Sequence, residues 1–430
     1  MIQEIKIKNF LSFKEEVTFS FEATKDTFAD DYQVVEVAKG VRLLRFAMIY
    51  GANASGKSNL LTVFNFLHHF WFYKPDDIDE EIGVIPFKLD KITTNEPSSF
   101  ELIFYVNSTK YWYQLELDEK QVYTEKLFYY KTVQPTLLFH RELINDQSVI
   151  NFNSAAVKVS SVVKEKISVE CLKNMSFFAA RDKVNATIPE IDVAKDWLKK
   201  QIMPVVSPRT KMFQYAEKQM LENKDIKSYL LDFVRAADFN IVDINTQIEK
   251  KEIPQKVVDY FMNNPETTKQ EKEKLKKDRF VSTPKTSFMH TVSNERGEEI
   301  YSLPENLQSE GTKRIFGLEA AIYNAIQDNC FLFIDEVETS LHPQLLRFVL
   351  LNFLRKESSR SQLLITTHYD PLLNDIDEIF RKDSVWFTEK TKSGHTDVYS
   401  LTDFKGLNRL SSIQKAYNYR KFGAYPEIDL

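Results

Sequence analysis

The N-terminal part of the chain alternates between polar and apolar residues in segments of strand length. IQEIKIKNFLSF (2–13) and EEVTFSFEA (15–23) both have this period of two, so they predict an opening pair of antiparallel strands. The next apolar segment, LLRFAMIY (43–50), contains few polar residues and ends at a glycine, which is typical of a buried strand. From Leu60 to Leu67 apolar residues recur at helical spacing. We therefore expect a helix whose apolar stripe packs on a sheet.

The middle of the chain changes its period twice. Between residues 98 and 152, short alternating segments separated by turn residues predict an antiparallel meander. Residues 190–262 return to helical spacing and predict a set of helices. The stretch 263–279 is rich in Lys and Glu and has almost no apolar residue. A solvated helix face or a linker is the favoured interpretation of it, and a partner-binding arm is the alternative.

After residue 300 the pattern predicts an α/β fold. Helical and buried-strand patterns alternate in four segments, namely LQSEGTKRIFGLEAAIYNAIQ (307–327), CFLFIDE (330–336), SLHPQLLRFVLLNFLRKES (340–358) and QLLITTH (362–368). The whole chain is then predicted to be an α/β head with an antiparallel β subdomain and a helical insertion. Its three predicted parts are an N-terminal head part at 1–188, the helical insertion at 189–285 and a C-terminal head part at 286–430.

Composition and charge narrow the class of protein. The 430 residues are 43% hydrophobic and 28% charged, which is ordinary for a globular protein of two or three domains. A formal net charge of −5 gives no global positive field, so nucleic acid is a possible partner that the charge does not indicate. Cys171 and Cys330 are too few for a disulfide framework. No apolar window is long enough for a membrane span or a leader, so we predict a cytoplasmic protein without a membrane partner.

The segment GANASGKS (51–58), called the phosphate loop below, satisfies the pattern G-x-x-x-x-G-K-[ST] between a predicted strand and a predicted helix. Glycines let backbone N–H groups turn toward phosphate, and the helix N-terminus adds its positive end. Lys57 can reach the β- and γ-phosphates, and the Ser58 hydroxyl can bind Mg²⁺. A glycine-containing turn that matches by chance is the alternative. The predicted nucleotide contacts are Gly51, Asn53, Ala54, Ser55, Gly56, Lys57, Ser58 and Asn59.

Two further predicted strands end in residues that suit a nucleotide. FLFIDE ends in Asp335 and Glu336, which are placed to bind Mg²⁺ and to polarise an attacking water, respectively. QLLITTH ends in His368, at the edge where ligands of parallel sheets collect. Packing or capping is the alternative for a single histidine. Its position after the strand that follows the Asp-Glu strand favours contact with the γ-phosphate.

A third candidate contact precedes a predicted helix. LQSEGTKR (307–314), called the signature segment below, places Ser309 and Gly311 where a hydroxyl and free N–H groups can face an anion. Taken alone, this pattern is also a common helix cap.

The order of these motifs resembles the ATP-binding-cassette (ABC) ATPases of the SMC, RecF and OLD kind. In closer detail the chain is similar to stand-alone "AAA family ATPase" proteins of bacterial anti-phage and abortive-infection systems. The shared segments are SEGTKR, DEVETSLHP, TTH and RKFGAYPEI, with IKIKNFLSF and GANASGKSNLL near the start. The resemblance covers roughly 1–180 and 285–430 and implies a P-loop NTPase fold of the ABC type.

The resemblance also implies a mechanism. ATP and Mg²⁺ would be the cofactors of a head-to-head dimer, or a higher homo-oligomer, that sandwiches two nucleotides. In one subunit the residues Lys57, Ser58, Asp335, Glu336 and His368 would act together, whereas Ser309 and Gly311 would come from the opposite subunit. Ser340 and His342 would lie in a loop that communicates across the interface. The chain departs from the pattern in two places, because no clear glutamine follows the first helix and the signature is QSEGT.

Two functions follow from this resemblance. The first is a nucleotide-gated ATPase that senses or regulates a separate effector, nuclease or toxin-like, in anti-phage defence. Since the sequence continues only about sixty residues beyond His368 and has no evident metal-ligand cluster, we expect any nuclease chemistry to lie in the effector.

The alternative is a RecF- or SMC-like DNA-binding ATPase in DNA repair or maintenance. Its best candidate contact, the basic and tyrosine-containing segment 406–423, is more simply interpreted as a packed C-terminal helix. A transporter motor is disfavoured by the form of the signature.

Overall fold

The structure is a computed structural model that describes residues 1–237, 240–264, 268, 272–273, 280–356 and 359–426. The chain divides into two compact units, each built from separate stretches of sequence. The first unit comprises Met1–Pro208, Asn324–Thr339 and Val349–Leu430, and the second comprises Arg209–Tyr323 and Ser340–Phe348. This division differs from the three predicted segments, because residues 189–208 belong to the first unit and residues 286–323 to the second.

Strands and helices alternate along the chain as follows. The strands are β1 (Ile2–Lys8), β2 (Val17–Ser20), β3 (Val34–Ala38), β4 (Val41–Leu44), β5 (Phe46–Tyr50), β6 (Ser98–Val106), β7 (Thr109–Leu117), β8 (Val122–Tyr130), β9 (Thr136–Ile144), β10 (Gln147–Phe152), β11 (Ile241–Glu252), β12 (Phe280–Asn294), β13 (Gly297–Pro304), β14 (Phe331–Ile334), β15 (Gln362–Thr366), β16 (Val385–Lys390) and β17 (Thr396–Ser400). The α-helices are α1 (Asp30–Gln33), α2 (Lys57–Phe72), α3 (Ser161–Glu170), α4 (Phe177–Arg181), α5 (Pro189–Gln201), α6 (Met212–Glu222), α7 (Lys224–Ala236), α8 (Gln255–Asn263), α9 (Glu310–Asp328), α10 (Pro343–Leu354) and α11 (Ile413–Asn418).

An antiparallel sheet in the first unit combines the two strands at the start of the chain with five strands from residues 98–152. Its strand order is β10-β9-β8-β7-β6-β1-β2. β1 and β2 pair antiparallel with Ile5 opposite Phe19, which confirms the predicted opening pair. β6 to β10 form the predicted meander, in which buried and more exposed residues alternate along most of each strand. One face of this sheet is therefore core, as the period of two predicted.

A parallel sheet in the first unit carries the phosphate loop. Its order is β14-β15-β5-β16-β17, with β17 antiparallel to its neighbour and the other strands parallel. Every residue of β5, β14 and β15 is buried, which explains their nearly continuous apolar sequences. Ile334 is opposite Ile365, and Thr366 is opposite Ile49. The carboxyl ends of β14, β15 and β5 therefore meet at one edge, with β15 in the middle.

Helix α2 packs its apolar stripe on this sheet, as its spacing predicted. The Phe64 ring lies 5.2 Å from that of Phe331 and 4.7 Å from that of Phe333. Leu60 and Leu61 are also fully buried. Each such side chain contributes about 1.5–3 kcal/mol by leaving water, so the helix that begins at the phosphate loop is firmly held.

The second unit contains a three-stranded antiparallel sheet, in the order β11-β12-β13, with helices α6 and α7. Phe288 of β12 contacts Phe213 and Phe316, at ring distances of 5.9 and 5.1 Å. The purely helical prediction for 190–262 is wrong over β11. Only Ile241 and Ile244 of that strand are buried, so its apolar pattern is too short to indicate a strand. The predicted helical insertion consequently contains strands as well as helices.

Two other predictions concern the less regular parts of the chain. Most of the Lys- and Glu-rich stretch 263–279 lies outside the described residues. In the segment 406–423 only α11 is an α-helix, but Tyr417 is buried and its ring lies 5.7 Å from that of Phe387, which agrees with the packed interpretation. Within the described parts of the chain, no helix is both long and apolar enough to cross a membrane.

Candidate nucleotide-binding site

The phosphate loop connects β5 to α2 and requires glycine at two of its positions. A Cβ atom on Gly51 would lie 2.5 Å from the Thr388 carbonyl oxygen, and one on Gly56 would lie 2.4 Å from Thr396 Oγ1. Gly56 also has a φ of +108°, in the left-handed region that favours glycine. The loop is thus shaped by close backbone approach to the β16–β17 hairpin.

Hydroxyl groups of that hairpin hold the loop in place. Ser55 Oγ and Thr388 Oγ1 are hydrogen-bonded at 2.7 Å, and Thr396 Oγ1 donates to the Ser55 carbonyl at 2.7 Å. The Asn59 amide donates to Ser12 Oγ at 2.7 Å. The side chains of Ser55 and Asn59 are therefore used to fix the loop. Their predicted nucleotide contacts would have to come from the main chain.

Lys57 is the first residue of α2, and its side chain lies inside the loop. It is 5% exposed, and its Nζ donates to the carbonyl oxygens of Gly51 at 2.9 Å and Ala52 at 3.0 Å. Burial lowers the pKa of Lys57 to about 8, against the opposing effects of nearby carboxylates. Asn53 and Ala54 are exposed at the loop tip, where Ala54 has a φ of +61°. The loop thus presents a buried ammonium group that anionic phosphates would stabilise.

Ser58, Asp335 and Thr366 connect the first turn of α2 to the ends of β14 and β15. Ser58 Oγ donates to Asp335 Oδ1 at 3.0 Å, and Thr366 Oγ1 donates to the same oxygen at 2.5 Å. The Thr366 hydroxyl also accepts from the Glu336 N–H at 2.8 Å. A serine hydroxyl and a carboxylate are hard oxygen ligands of the kind that Mg²⁺ prefers. The two predicted metal ligands therefore lie within one hydrogen bond of each other and fit that ion chemically.

Glu336 begins the turn that follows β14. Its φ is +46°, which is unusual for a residue with a side chain and costs of order 1–3 kcal/mol. Thr366 holds this turn a second time, because the Val337 N–H donates to its carbonyl at 3.1 Å. The Glu336 carboxylate is thus carried on a turn that is fixed to the end of the adjacent strand.

His368 lies two residues beyond the end of β15. Its main-chain N–H donates to Glu338 Oε1 at 2.6 Å. Burial lowers the pKa of the imidazole, and the positive charge of Lys57 lowers it further, whereas Glu338, Glu336 and Asp335 oppose the shift. Since the ordinary pKa of histidine is about 6.5, a lowered pKa favours the neutral ring at pH 7, which keeps one N–H donor.

The signature segment lies in the second unit. Ser309 Oγ accepts from the Thr312 N–H at 3.0 Å and is 2.8 Å from Thr312 Oγ1, so Ser309 caps α9. A Cβ atom on Gly311 would lie 2.8 Å from the Ser340 carbonyl oxygen. Gln308 Nε2 lies 3.0 Å from His290 Nε2 of β12. The cap that the sequence left open as an alternative is therefore present, and the predicted contact with a partner's nucleotide stays a prediction.

The predicted communication loop also ends in a helix cap. Ser340 has a φ of +62°. The His342 carbonyl accepts from the N–H groups of Leu345 at 2.9 Å and Leu346 at 3.0 Å, and its Nδ1 accepts from the Gln344 N–H at 3.3 Å. The segment SLHP thus starts α10, with proline at the first helical position, where its missing N–H is not needed.

The first unit gathers five predicted residues at one edge of the parallel sheet. They are Lys57, Ser58, Asp335, Glu336 and His368. Sequence analysis missed the groups that hold them, which are Ser12, Glu338, Thr366, Thr388 and Thr396. Thr366 and Glu338 are part of the quoted TTH and DEVETSLHP segments, so adjacency to a motif was the available signal. No signal in the sequence marked Thr388 or Thr396 of the β16–β17 hairpin.

No other metal centre emerges from the described residues. Within those ranges, no group of three or more His, Cys, Asp or Glu side chains could hold a metal ion.

A protein-family model matches two stretches that together make up about two thirds of the chain. The model is described as "AAA domain, putative AbiEii toxin, Type IV TA system", and it matches residues 46–157 and 193–374. These stretches contain the phosphate loop, the signature segment, Asp335, Glu336 and His368. No curated protein matches the sequence.

Three solved structures resemble this chain over nearly its whole length. The SMC head domain from Thermotoga maritima is 13% identical, with a TM-score of 0.41, over 93% of this chain and 98% of that one. An SmcHead bound to the C-winged helix domain of ScpA is 12% identical, with a TM-score of 0.44, over 96% and 99%. The Smc head with an extended coiled coil, bound to the C-terminal domain of ScpA from Pyrococcus furiosus, is 12% identical, with a TM-score of 0.38, over 98% of both chains.

Proposed function

The chain belongs to this family of AAA domains, and from that premise we propose that it binds ATP with Mg²⁺ and hydrolyses it to ADP and phosphate. The observation that supports this proposal best is the hydrogen-bonded group Ser58, Asp335 and Thr366 beside the buried Lys57. A phosphate loop alone would suit any phosphate ligand. A carboxylate joined to its serine is what a metal-bound triphosphate needs.

Each residue has a role that follows from its chemistry. The loop N–H groups and Lys57 would hold the phosphates, and Ser58 and Asp335 would hold Mg²⁺, which neutralises charge on the phosphate oxygens when bound. Glu336 would accept the proton of the attacking water. The neutral His368 ring would donate its N–H to the γ-phosphate.

We further propose that ATP controls the assembly of a dimer. As the resemblance implies, Ser309 and Gly311 of one subunit would contact the nucleotide of the other. Ser340 and His342 would respond to that contact. In support, Gly311 packs against the Ser340 main chain, so a change at one position is felt at the other.

The biological role we propose is regulation of a separate effector, nuclease or toxin-like, in bacterial anti-phage defence. The family description names an AbiEii toxin and a toxin–antitoxin system, and the shared segments point to the same group. A pull-down from the native host with a non-hydrolysing variant tests this role. Recovery of a neighbouring-gene product that depends on ATP would support the role, whereas recovery of none would contradict it.

The decisive experiment measures the mass of the purified Glu336→Gln variant with and without ATP and Mg²⁺. The amide cannot accept the proton of water, so turnover should fall at least about 100-fold while ATP stays bound. ATP-dependent doubling of the mass would support the proposal. Assembly without nucleotide would mean that ATP acts inside a preformed complex, and a monomer under both conditions would exclude the sandwich.

A matched control separates loss of assembly from loss of binding. The double variant Lys57→Ala, Glu336→Gln lacks the central ammonium group that holds the phosphates. It should keep its nucleotide-free mass at every ATP concentration that doubles the mass of the Glu336→Gln variant. Phosphate release by the wild-type protein tests hydrolysis itself. Wild-type turnover no faster than that of Glu336→Gln would refute the ATPase assignment.

A further inference from the structure

Glu338 is a carboxylate of the same edge to which neither the motif pattern nor the family description gives a role. It follows Glu336 by two residues, on the turn that leaves β14. Its Oε1 accepts the main-chain N–H of His368 at 2.6 Å, which is short for an N–H···O bond and typical of a charge-assisted one. This bond joins the turn after β14 to the segment after β15.

The second carboxylate oxygen of Glu338 is buried. Among the residues that the structure describes, Oε2 has no hydrogen-bond partner. A buried carboxylate oxygen without a partner is costly, and such groups are rare where their only task is packing. Within the described residues, Glu338 uses one oxygen for the His368 N–H and leaves the other unpaired, so the bond to His368 is the contact that accounts for its position.

The electrostatic surroundings of Glu338 agree with that position. Its charge raises the pKa of the His368 ring more than those of Glu336 and Asp335 do. It also acts on Lys57 and on the buried hydroxyl of Tyr50. Glu338 thus adds negative charge to the sheet edge that carries Lys57 and His368.

We propose that Glu338 is a positioning residue for hydrolysis, which fixes the main chain at His368 so that the imidazole lies at the γ-phosphate. This inference rests on the proposed ATPase function and deepens it. Glu336 follows β14 and His368 follows the neighbouring strand β15. The bond from Glu338 directly connects the segments that follow these two strands. Thr366 ties the Glu336 turn to the end of β15, and the bond from Glu338 extends this connection to His368, two residues further along the chain.

Three substitutions separate the geometry of Glu338 from its charge. Glu338→Gln keeps the length and an acceptor oxygen but removes the charge. Glu338→Asp keeps the charge but is too short by one methylene, and Glu338→Ala removes both. A positioning role predicts that kcat falls about 10- to 100-fold in the Asp and Ala variants, as expected for a misplaced catalytic group, and only a few-fold in Gln. The dissociation constant for ATP should change by less than about threefold in all three.

Glu378→Ala serves as the matched control, because Glu378 is an exposed carboxylate of the same unit. It should retain wild-type kcat and ATP affinity. Thermal unfolding of every variant shows whether the fold survives. A kcat within twofold of wild type in Glu338→Ala would overturn the proposal. So would a Gln variant as impaired as the Ala variant, since that result assigns the effect to charge.

A second measurement does not depend on hydrolysis. In protein labelled with ¹⁵N-histidine, the amide resonance of His368, identified by its loss in His368→Gln, reports the bond to Glu338 directly. In Glu338→Ala and Glu338→Asp this resonance should shift and exchange faster with solvent, and in Glu338→Gln it should stay near its wild-type position. An unchanged His368 amide in Glu338→Ala would overturn the positioning role. Failure of the ATPase function alone would leave these shifts intact.

Discussion

Raising the pH above about 8 should weaken ATP binding, because Lys57 then loses its proton in the nucleotide-free protein. Burial lowers the pKa of this ammonium group from 10.5 to about 8. Bound phosphates stabilise the charged form and return the pKa toward its ordinary value. ATP binding is thus coupled to uptake of a proton over the pH range between the two pKa values.

The size of the effect follows from the shift. Lowering the pKa of Lys57 from 10.5 to about 8 means that burial disfavours the charged form of its side chain by about 3 kcal/mol. Above the pKa of the free protein, the dissociation constant for ATP should rise by up to about tenfold per pH unit until the pKa of the complex is reached. Between pH 7 and pH 9 the expected loss of affinity is therefore about tenfold.

The assay is a titration with a fluorescent ATP analogue and Mg²⁺ from pH 7 to pH 9.5. The Lys57→Arg variant is the control, because a guanidinium group stays charged over this range. If the longer side chain fits poorly, the Arg variant binds ATP more weakly than the wild type. Its ATP affinity should nevertheless not change with pH. Wild-type affinity that is constant with pH, or an Arg variant with the same slope, would refute the assignment to Lys57.

The same shift acts on folding stability in the other direction. Since the pKa of Lys57 is lower in the folded than in the unfolded protein, burial of the charge destabilises the fold fully below about pH 8. This cost is relieved as the pH rises from about 8 toward 10.5. Relative to Lys57→Met, wild-type stability in denaturant should therefore increase across this window.

Other predictions concern the groups that support the site. Thr366→Val removes a hydroxyl that donates to Asp335, so the Mg²⁺ concentration needed for half-maximal turnover should rise while the ATP affinity without metal stays unchanged. At the signature, Ser309→Ala should lower stability by about 1 kcal/mol and abolish the ATP-dependent dimer, whereas Ser309→Asp should keep the cap and still lose the dimer. In the antiparallel sheet, Arg141→Met leaves the buried Glu125 without its charged partner and should cost about 3–5 kcal/mol in thermal unfolding above pH 7. The cost should be smaller below pH 7, because burial raises the pKa of Glu125 to about 7 and the protonated carboxyl no longer needs a charged partner.

Sequence patterns predicted the parts of the fold that are encoded locally. The buried strands β5 and β14 appear as apolar runs because both faces of a parallel sheet are covered. The phosphate loop is recognisable because its chemistry needs closely spaced glycines and a lysine. β11 was missed because most of its twelve residues are not buried and so follow no apolar period.

The missed site residues depend on contacts between distant parts of the chain. Thr388 and Thr396 hold Ser55 from more than 300 residues away, and a threonine in a strand has no feature that marks such a contact. Glu338 is next to a motif, yet its bond to His368 exists only because β14 and β15 are neighbours in the sheet. The motifs therefore predicted which residues meet at one edge of the sheet, but they did not predict the residues that hold them there.

The structure also reconciles the two interpretations of Ser309. As an N-cap, the hydroxyl uses a lone pair to accept from the Thr312 N–H, and this leaves its own hydrogen free to donate. Thr312 Oγ1 can be the donor in the second contact with Ser309, so that contact need not consume the hydrogen. A γ-phosphate needs donors, and the first turn of α9 supplies its own N–H groups beside the hydroxyl. Capping and phosphate contact are thus compatible.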